Sequence, residues 1–362
     1  MEITKSGIAS ERGRARGAGS NPAPRFERYE TVPIDDGWAS ETQALPPLRT
    51  EVREEVARSI VSYNRSPDIS FDRSINPYRG CEHGCVYCFA RPSHAYLGLS
   101  PGLDFETQLI ARRNAAQVLV YELRKPGYRV APMAIGTNTD PYQPIERDRR
   151  VMRACLEVLA EARHPVGIVT KGSLIERDID ILAPMAARGL ARVGISVTSL
   201  DAELSRKMEP RCPTPQRRLQ TIRRLSDAGI PVRVCASPLI PGLTDHEMEA
   251  ILTESAAFGA AFASWIVLRL PREVADLWKE WLFKHYPDRA RRVMGHIRSM
   301  HGGRDYDARW HHRMRGEGAY AQMIAQRFDR VLLAVGLAKE APVLDCTQFK
   351  PPERRGDQLS LF

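Results

Sequence analysis

The stretch PVGIVTKGSLIERDIDILAPMAARGLARVGISV, residues 165–197, begins and ends with short apolar runs rich in β-branched residues. Each of the two runs, PVGIVT (165–170) and ARVGISV (191–197), has the length and composition of a buried β-strand. Similar runs occur at VAPMAIG (130–136), PVRVCA (231–236) and SWIVLRL (264–270). Continuous apolar strands separated by helical stretches are typical of a parallel sheet that is covered by helices.

Helical periodicity fills the spaces between these runs. RRVMRACLEVLAEAR (149–163) and PQRRLQTIRRLSDAG (215–229) are amphipathic, and the second ends at Gly229, a typical helix C-cap residue. A first strand near DISFDRSI (68–75) brings the pattern to six β/α units. Six units fit a partial (β/α)6 barrel or a doubly wound open sheet, and periodicity alone does not decide between the two folds.

Length, composition and charge limit the possible classes of protein. The chain has 362 residues, 43% of them hydrophobic, which suffices for one large α/β domain or two smaller ones. It contains no 18-residue apolar run and no signal-peptide pattern, so we expect a cytoplasmic protein whose thiols stay reduced. The net charge of +9 favours an anionic partner such as nucleic acid.

Composition divides the chain into four regions. Residues 1–48 mix Gly, Pro, Arg and Ser without periodicity, and we expect them to form a disordered basic extension. Residues 49–287 contain the alternating strands and helices, and residues 288–345 form a C-terminal basic and helical extension. Residues 346–362 include a polar stretch, and we expect a flexible tail there.

Three of the seven cysteines lie in RGCEHGCVYCFARPSH (79–94), directly after the first predicted strand: Cys81, Cys85 and Cys88. A disulfide would leave one thiol unpaired, and a structural zinc site usually needs four ligands. Thiolates also suit iron-sulfur clusters, and three thiolates on a four-iron cluster would leave one iron open to a substrate or cofactor. The alternative is a zinc site completed by His83 or His94.

The Cys-x3-Cys-x2-Cys spacing, with Tyr87 before the last cysteine, resembles the signature of the radical S-adenosylmethionine (SAM) enzymes. Within that superfamily, roughly residues 50–345 resemble the spore photoproduct lyase-like branch of bacterial radical SAM proteins. The segments that carry this resemblance are INPYRGCEHGCVYCFARPSH (75–94), GTNTDPYQPIE (136–146), SVTSLDAEL (196–204), KMEPRCPTPQRRLQTI (207–222) and the region around PLIPGLTD (238–245). The resemblance implies a partial (β/α)6 TIM-like barrel of the radical SAM type.

The resemblance also implies the cofactors and the reaction. Cys81, Cys85 and Cys88 would hold a 4Fe-4S cluster that binds SAM, and reduction would cleave SAM to methionine and a 5′-deoxyadenosyl radical. An electron donor such as flavodoxin or ferredoxin would be needed. The candidate SAM contacts are Thr137, Asn138 and Thr139 for the amino end, Lys171 for the carboxylate, Ser196 for a ribose hydroxyl, and Glu209 and Arg211 as further polar groups. For Arg218 the sequence favours a solvated helix face.

One segment departs from the pattern of spore photoproduct lyase. That enzyme returns a hydrogen atom to its product through a cysteine near the end of the second strand, where this chain has GTNTD (136–140). The sequence therefore argues against thymine-dimer repair by that route. Cys212 and Cys235 could donate instead if the fold brings them to the cofactor, whereas Cys155 and Cys346 are expected to be ordinary small packing residues.

A basic stretch with aromatic residues follows the predicted barrel. RARRVMGHIRSMHGGRDYDARWHHRMRGEGAY (289–320) combines clustered Arg and His with Trp310, Tyr306 and Tyr320, a composition suited to phosphate contacts and base stacking.

The resemblance, together with composition and charge, leads us to expect a cytoplasmic radical SAM enzyme, lyase-like and related to DNA repair, whose substrate is not identified by the sequence. The alternatives are an RNA-modifying radical SAM enzyme and a zinc-stapled nucleic-acid-binding module without catalysis.

The stretch QLSLF (358–362) resembles the short peptide by which bacterial DNA polymerases and repair enzymes dock on the β sliding clamp. Gln358 would form a hydrogen bond at the rim of a pocket, and Leu361 and Phe362 would fill an apolar cleft. Leu359 and Ser360 lie between these anchors. The alternative is an apolar segment that folds back onto the protein's own surface.

Overall fold

The computed structural model describes residues 15–27 and 48–353. These residues contain the strands β1 (Glu51–Glu55), β2 (Val61–Tyr63), β3 (Arg73–Ile75), β4 (Tyr78–Arg79), β5 (Gln108–Arg112), β6 (Met133–Ile135), β7 (Val166–Thr170), β8 (Ala191–Ser196), β9 (Val232–Leu239) and β10 (Phe262–Val267). The α-helices are α1 (Asp104–Thr107), α2 (Ala115–Leu123), α3 (Glu146–Arg149), α4 (Val151–Glu161), α5 (Ile179–Ala187), α6 (Ala202–Met208), α7 (Pro215–Asp227), α8 (Met248–Ala257), α9 (Val274–His285), α10 (Pro287–Met300) and α11 (Gly318–Val335).

Seven strands form the main sheet, in the order β10-β9-β8-β7-β6-β3-β2. Its six strands from β3 to β10 are parallel, and β2 adds to one edge in the antiparallel direction. The parallel strands follow chain order across the sheet without a reversal, so the sheet has no switch point of the kind that defines a doubly wound fold. The predicted partial (β/α)6 barrel is confirmed.

The two faces of the sheet differ in composition. Core residues such as Ile168, Ile195 and Val234 pack under the surrounding helices. The opposite, concave face carries small residues, and a Cβ atom on Gly194 would lie only 3.2 Å from Cys235 Sγ. Val169 points to this face and is 38% exposed although it belongs to a central strand. The concave face therefore stays accessible toward the carboxyl ends of the strands.

The first part of the chain corrects the expectation of a disordered extension over residues 1–48. Arg16, Ala18 and Ser20 are buried, and Ala18 packs with Leu103 and Leu277. This segment packs through glycines, backbone amides and polar side chains, so it shows none of the apolar periodicity by which sequence reasoning recognises order. Residues 1–14 and 28–47 lie outside the described residues.

The segment after α11 corrects the expectation of a flexible tail over residues 346–362. It runs along the amino ends of the strands, where the Asp345 amide donates to the Gly189 carbonyl and the Lys350 amide to the Ala162 carbonyl. The Phe349 ring lies 5.5 Å from the ring of His164. Residues 346–353 therefore pack onto the barrel, whereas QLSLF (358–362) lies outside the described residues.

Two helices make up most of the C-terminal extension. Helix α10 buries Val293, Met294 and Ile297 in a second apolar cluster, whereas α11 buries Ile324 and Phe328 in the main core. The C-terminal helices are therefore packed onto the barrel rather than separate from it. No helix among residues 15–27 and 48–353 is long and apolar enough to cross a membrane.

Candidate functional site

The cysteine loop, residues 80–91, begins where β4 ends. Gly80 and Gly84 have φ values of +74° and +68°, which only glycine adopts readily, and they let the chain reverse twice within the loop. The Cys88 amide donates to the Cys85 carbonyl (3.2 Å), and the Cys81 amide donates to the Phe105 carbonyl (2.9 Å). The loop is therefore a series of tight turns held against a neighbouring segment.

A buried arginine supports this loop from inside. The Arg91 guanidinium donates to the carbonyls of Gly84 (3.1 Å) and Cys85 (2.9 Å), and it forms an ion pair with Glu106. Both charged side chains are fully buried. Because charge-assisted bonds to backbone carbonyls fix geometry well, Arg91 holds the turn between the first two cysteines in one shape.

The three thiols face the same region. Cys81 and Cys85 are each 7% exposed, and Cys88 packs against the apolar groups that contain both of them. Burial and the neighbouring Cys85 and Cys81 thiolates raise the pKa of Cys88 to about 12. Ionising the Cys88 thiol would therefore bring like charges close together, and a bound cation would relieve this repulsion.

The two histidines proposed as zinc ligands have other partners. His94 Nε2 lies 2.9 Å from the Gln108 carbonyl oxygen, and His83 Nδ1 lies 3.3 Å from Asp140 Oδ2. Burial alone would lower the pKa of His83, but the Asp140 charge raises it overall. Within the described ranges, no three His, Cys, Asp or Glu side chains surround a single metal position. The two histidines are therefore engaged with Gln108 and Asp140 in this structure.

Sequence analysis assigned no role to Asp140, but this residue connects two strand ends. Its carboxylate accepts hydrogen bonds from the Thr170 hydroxyl (2.6 Å) and the Lys171 amide (2.8 Å), in addition to the contact with His83. Burial would raise the pKa of Asp140, but the His83 charge and these bonds lower it overall. An aspartate after a buried strand was the available signal, and its three partners are distant in sequence.

A second polar group lies beside the cysteine loop and centres on Glu209. Its carboxylate accepts hydrogen bonds from the Tyr87 hydroxyl, the Thr198 hydroxyl (2.8 Å) and the Arg218 guanidinium. Burial would raise the pKa of Glu209, but Arg218 and Lys171 lower it to about 2. Glu209 is therefore ionised in a buried position at neutral pH.

Arg218 corrects the expectation of a solvated helix face. It is 1% exposed, and its guanidinium also donates to the carbonyls of Ser196 (3.1 Å) and Pro213 (2.9 Å). Since its carboxylate partner lies outside α7, the composition of the helix alone did not reveal this burial. Arg218 thus fastens α7 to the carboxyl end of β8.

Lys171 ends β7 and points toward the same place. Its Nζ atom lies 5.7 Å from the centre of the Tyr87 ring. Burial alone would lower the pKa of Lys171, but the negative charges of Cys85 and Glu209 raise it overall. A cation is therefore held next to the cysteine loop.

The remaining predicted SAM contacts differ in their hydrogen-bond and ion-pair partners. The Thr139 hydroxyl donates to the Tyr78 carbonyl (3.0 Å), and the Arg211 guanidinium forms an ion pair with Glu82 in the cysteine loop. Ser196 is buried at the end of β8. In the described chain, Thr137 and Asn138 are half-buried after β6, and the Asn138 amide donates to the Asn76 side chain.

Three of the cysteines outside the loop lie in different surroundings. Cys212 lies beside the cysteine loop, with its Sγ atom 3.9 Å from Cys85 Sγ. A hydrogen bond from Cys212 lowers the pKa of Cys85 to about 7, whereas burial and the Cys85 charge raise the pKa of Cys212. Cys235 lies on the concave face, and Cys155 is buried under α4 as the sequence predicted.

Comparisons with known proteins agree with this geometry. The family model described as the radical SAM superfamily matches residues 75–254. An uncharacterized protein of Mycobacterium tuberculosis is 36% identical over 271 residues, which make up 71% of this chain and 79% of that protein. An uncharacterized protein of Methanocaldococcus jannaschii is 26% identical over 215 residues, or 59% of this chain and 76% of that protein.

Solved structures show the same fold. Spore photoproduct lyase complexed with dinucleoside spore photoproduct has a TM-score of 0.56 at 15% identity, covering 80% of this chain and 81% of that chain. A form of the lyase with bound AdoMet and the dinucleoside has a TM-score of 0.54 at 16% identity over the same shares. At this identity the likeness concerns the arrangement of strands and helices.

Proposed function

Because this chain belongs to the radical SAM superfamily and is therefore an enzyme, we propose that it uses a 4Fe-4S cluster to cleave SAM reductively and that the product radical acts on DNA. The observation that carries the proposal is that Cys81, Cys85 and Cys88 lie in one short loop of tight turns, which backbone hydrogen bonds and the buried Arg91 hold in place. When bound, the cluster supplies the electron that splits SAM into methionine and a 5′-deoxyadenosyl radical.

The cysteine loop fits such a cluster by the chemistry of its donors. Thiolates are soft ligands, and a neighbouring cation would favour the ionised form of Cys88, whose pKa is raised by burial and by charge on Cys85 and Cys81. Arg91 holds the loop by its carbonyls and leaves the thiols free as ligands. Cys81, Cys85 and Cys88 are therefore the proposed ligands.

Lys171 is the proposed contact for the SAM carboxylate. Its raised pKa keeps the ammonium group charged at neutral pH, and it lies beside Cys85 and Glu209. Glu209 is ionised and could accept a hydrogen bond from an amino or hydroxyl group, in the way that it now accepts one from Tyr87. These opposite charges suit a zwitterionic ligand.

The other strand-end residues are proposed to complete the SAM site. Thr137 and Asn138 remain candidates for the amino end, and Ser196 for a ribose hydroxyl. Thr139 and Arg211 are proposed to contribute mainly by holding their own loops, because the structure engages them with Tyr78 and with Glu82. Each of these assignments is a proposal for this chain.

The proposed substrate is DNA. Trp310 is 55% exposed, and Arg289, Arg291 and Arg292 are exposed along α10. Exposed basic side chains and an exposed indole within one segment of the chain suit phosphate contacts and base stacking, and the net charge of +9 has the same sign. A repair-related, lyase-like reaction is proposed because the fold is shared with spore photoproduct lyase.

Three further parts of the proposal rest on sequence and on superfamily membership. Residues 358–362 are proposed to bind the β sliding clamp, which would bring the enzyme to replicating or repaired DNA. Flavodoxin or ferredoxin is the proposed electron donor. The proposed location is the cytoplasm, where reducing conditions keep the cysteines available as metal ligands.

Anaerobic reconstitution with iron and sulfide tests the proposal. We expect a brown protein that, with SAM and dithionite, forms 5′-deoxyadenosine, which is measured by chromatography. Cys81→Ala should abolish both the iron content and the product, whereas Cys155→Ala, a matched control on α4, should keep both. Product at the level of Cys81→Ala would refute SAM cleavage. Stimulation by RNA rather than by duplex DNA would favour the RNA-modifying alternative.

A further inference from the structure

Residues 16–25, which we call the N-terminal strap, lie directly against the cysteine loop. A Cβ atom on Gly17 would stand 1.8 Å from the Gly84 carbonyl oxygen and 3.2 Å from the Val86 nitrogen. Gly84 lies between the first two cysteines of the loop. The strap thus meets the loop backbone to backbone, at a distance that only glycine permits.

A buried carboxylate joins the strap to the support of the loop. Glu106 accepts hydrogen bonds from the amides of Gly17 and Ala18, both at 2.9 Å, and it forms the ion pair with Arg91. Arg91 in turn holds the carbonyls of the cysteine loop. The strap therefore helps to orient the carboxylate that keeps Arg91 in place.

Arg16 makes a second connection to the loop. Its guanidinium donates to the Glu106 carbonyl and to the Thr50 hydroxyl, both at 3.0 Å. The Thr50 hydroxyl donates to the side chain of Glu82 (2.7 Å), the residue after Cys81. Both turns that carry cysteines are thus linked to the strap.

The outer end of the strap is fixed to the start and middle of α9. The Ser20 hydroxyl donates to Glu280 (2.6 Å), and Arg25 forms an ion pair with Glu273 (2.7 Å). These contacts are far from the thiols in sequence and do not involve the loop. They offer a way to loosen the strap without changing its contact with Gly84.

We propose that the N-terminal strap is a wall of the cluster site, which holds the cysteine loop in its ligand-binding shape before metal arrives and shields its outer side from solvent. Gly17 is then a positioning residue that acts through Gly84 and Glu106. The inference rests on the proposed function only for its metal readout, since the shape of the loop can be measured in the metal-free protein.

The test compares Gly17→Ala with Gly295→Ala in the full-length chain. Gly295 is the matched control because a Cβ atom there would meet nothing within 4 Å. In metal-free protein, Gly17→Ala should raise the alkylation rate of Cys81, Cys85 and Cys88 roughly tenfold, because local opening becomes easier. The rate for Cys155 should not change, which separates loss of the strap from general unfolding.

After anaerobic reconstitution, Gly17→Ala should hold roughly half or less of the wild-type iron and sulfide, because a displaced loop binds metal more weakly. Gly295→Ala should match wild type. Equal alkylation rates and equal iron in the two variants would overturn the proposal. Faster loop alkylation in Gly17→Ala, together with a wild-type protein that binds no cluster, would support the strap and refute the cluster function.

A second variant covers the case in which Gly17→Ala unfolds, which rapid alkylation of Cys155 would reveal. The double variant Ser20→Ala/Arg25→Gln loosens only the outer end of the strap. It should raise loop alkylation severalfold, with Cys155 still protected. Wild-type protection of the three loop cysteines in that variant would overturn the proposal.

Discussion

The buried pair of Arg218 and Glu209 allows a sharp test of how the site is held together. Arg218→Met removes the guanidinium but keeps an apolar side chain of similar length. Glu209 would then remain in a position that is 1% exposed, without its main cation. We expect the metal-free protein to lose about 3–5 kcal/mol of unfolding free energy, the usual cost of removing one partner from a buried ion pair.

The lowered pKa of Glu209 corresponds to a free energy of similar size. A change from 4.5 to about 2 corresponds to roughly 3 kcal/mol of stabilisation at neutral pH, most of it from Arg218 and Lys171. Because the folded pKa is depressed, this stabilisation is present above about pH 4 and is lost as the pH falls toward 2. The difference between wild type and Arg218→Met should therefore shrink below about pH 4.

The neighbouring residue on α7 is a matched control. Arg217 forms an ion pair with Glu176, but its side chain is 32% exposed. Arg217→Met should cost no more than about 1 kcal/mol, as exposed pairs usually do. Urea denaturation followed by circular dichroism measures both variants. Equal losses in the two variants, or a loss in Arg218→Met that does not change with pH, would refute the assignment of a buried charge network.

Further outcomes follow from the other groups at the site. Cys88→Ala should bind no cluster, and iron at about the wild-type level in that variant would contradict its role as a ligand. Lys171→Met should weaken SAM binding about tenfold in equilibrium dialysis at unchanged iron content, and a parallel loss of iron would point to a structural role instead. The double variant Arg291→Gln/Arg292→Gln should lower DNA affinity and reduce the salt slope by about 2, whereas an unchanged slope would remove α10 from the interface. A chain shortened to end at Asp357 should lose clamp binding of about −8 kcal/mol in calorimetry, and undiminished binding would sink the clamp proposal.

The sequence predicted the strands well because a sheet buried by helices is encoded in continuous apolar runs. The runs at 165–170 and 191–197 became β7 (Val166–Thr170) and β8 (Ala191–Ser196). Gly229 ends the helical stretch with a φ of +76°, as its position after α7 indicated. The order of the strands in the sheet could not be predicted from periodicity, because periodicity carries no information on which strands become neighbours.

The site was predictable only where one short segment carries the chemistry. The three cysteines lie close together in one segment, and Lys171 directly follows the apolar run that forms β7. Arg218 was misjudged because an isolated charged residue on a helix is usually solvated, and Asp140 was overlooked because its partners lie in other loops and β/α units. The N-terminal strap was also missed, because the role of Gly17 depends on the absence of a Cβ atom at its contact with Gly84, and a missing side chain leaves no pattern in the sequence.

The path of the chain along the amino ends of the strands fixes where its last residues depart. Residue 353 leaves the fold beside the end of α4, where its amide donates to Glu161, on the side of the barrel opposite to the cysteine loop. The nine residues from 354 to 362 reach at most about 30 Å. The proposed partner of residues 358–362 would therefore be attached to the enzyme from the side of the barrel opposite to the cysteine loop, and would leave the carboxyl ends of the strands uncovered.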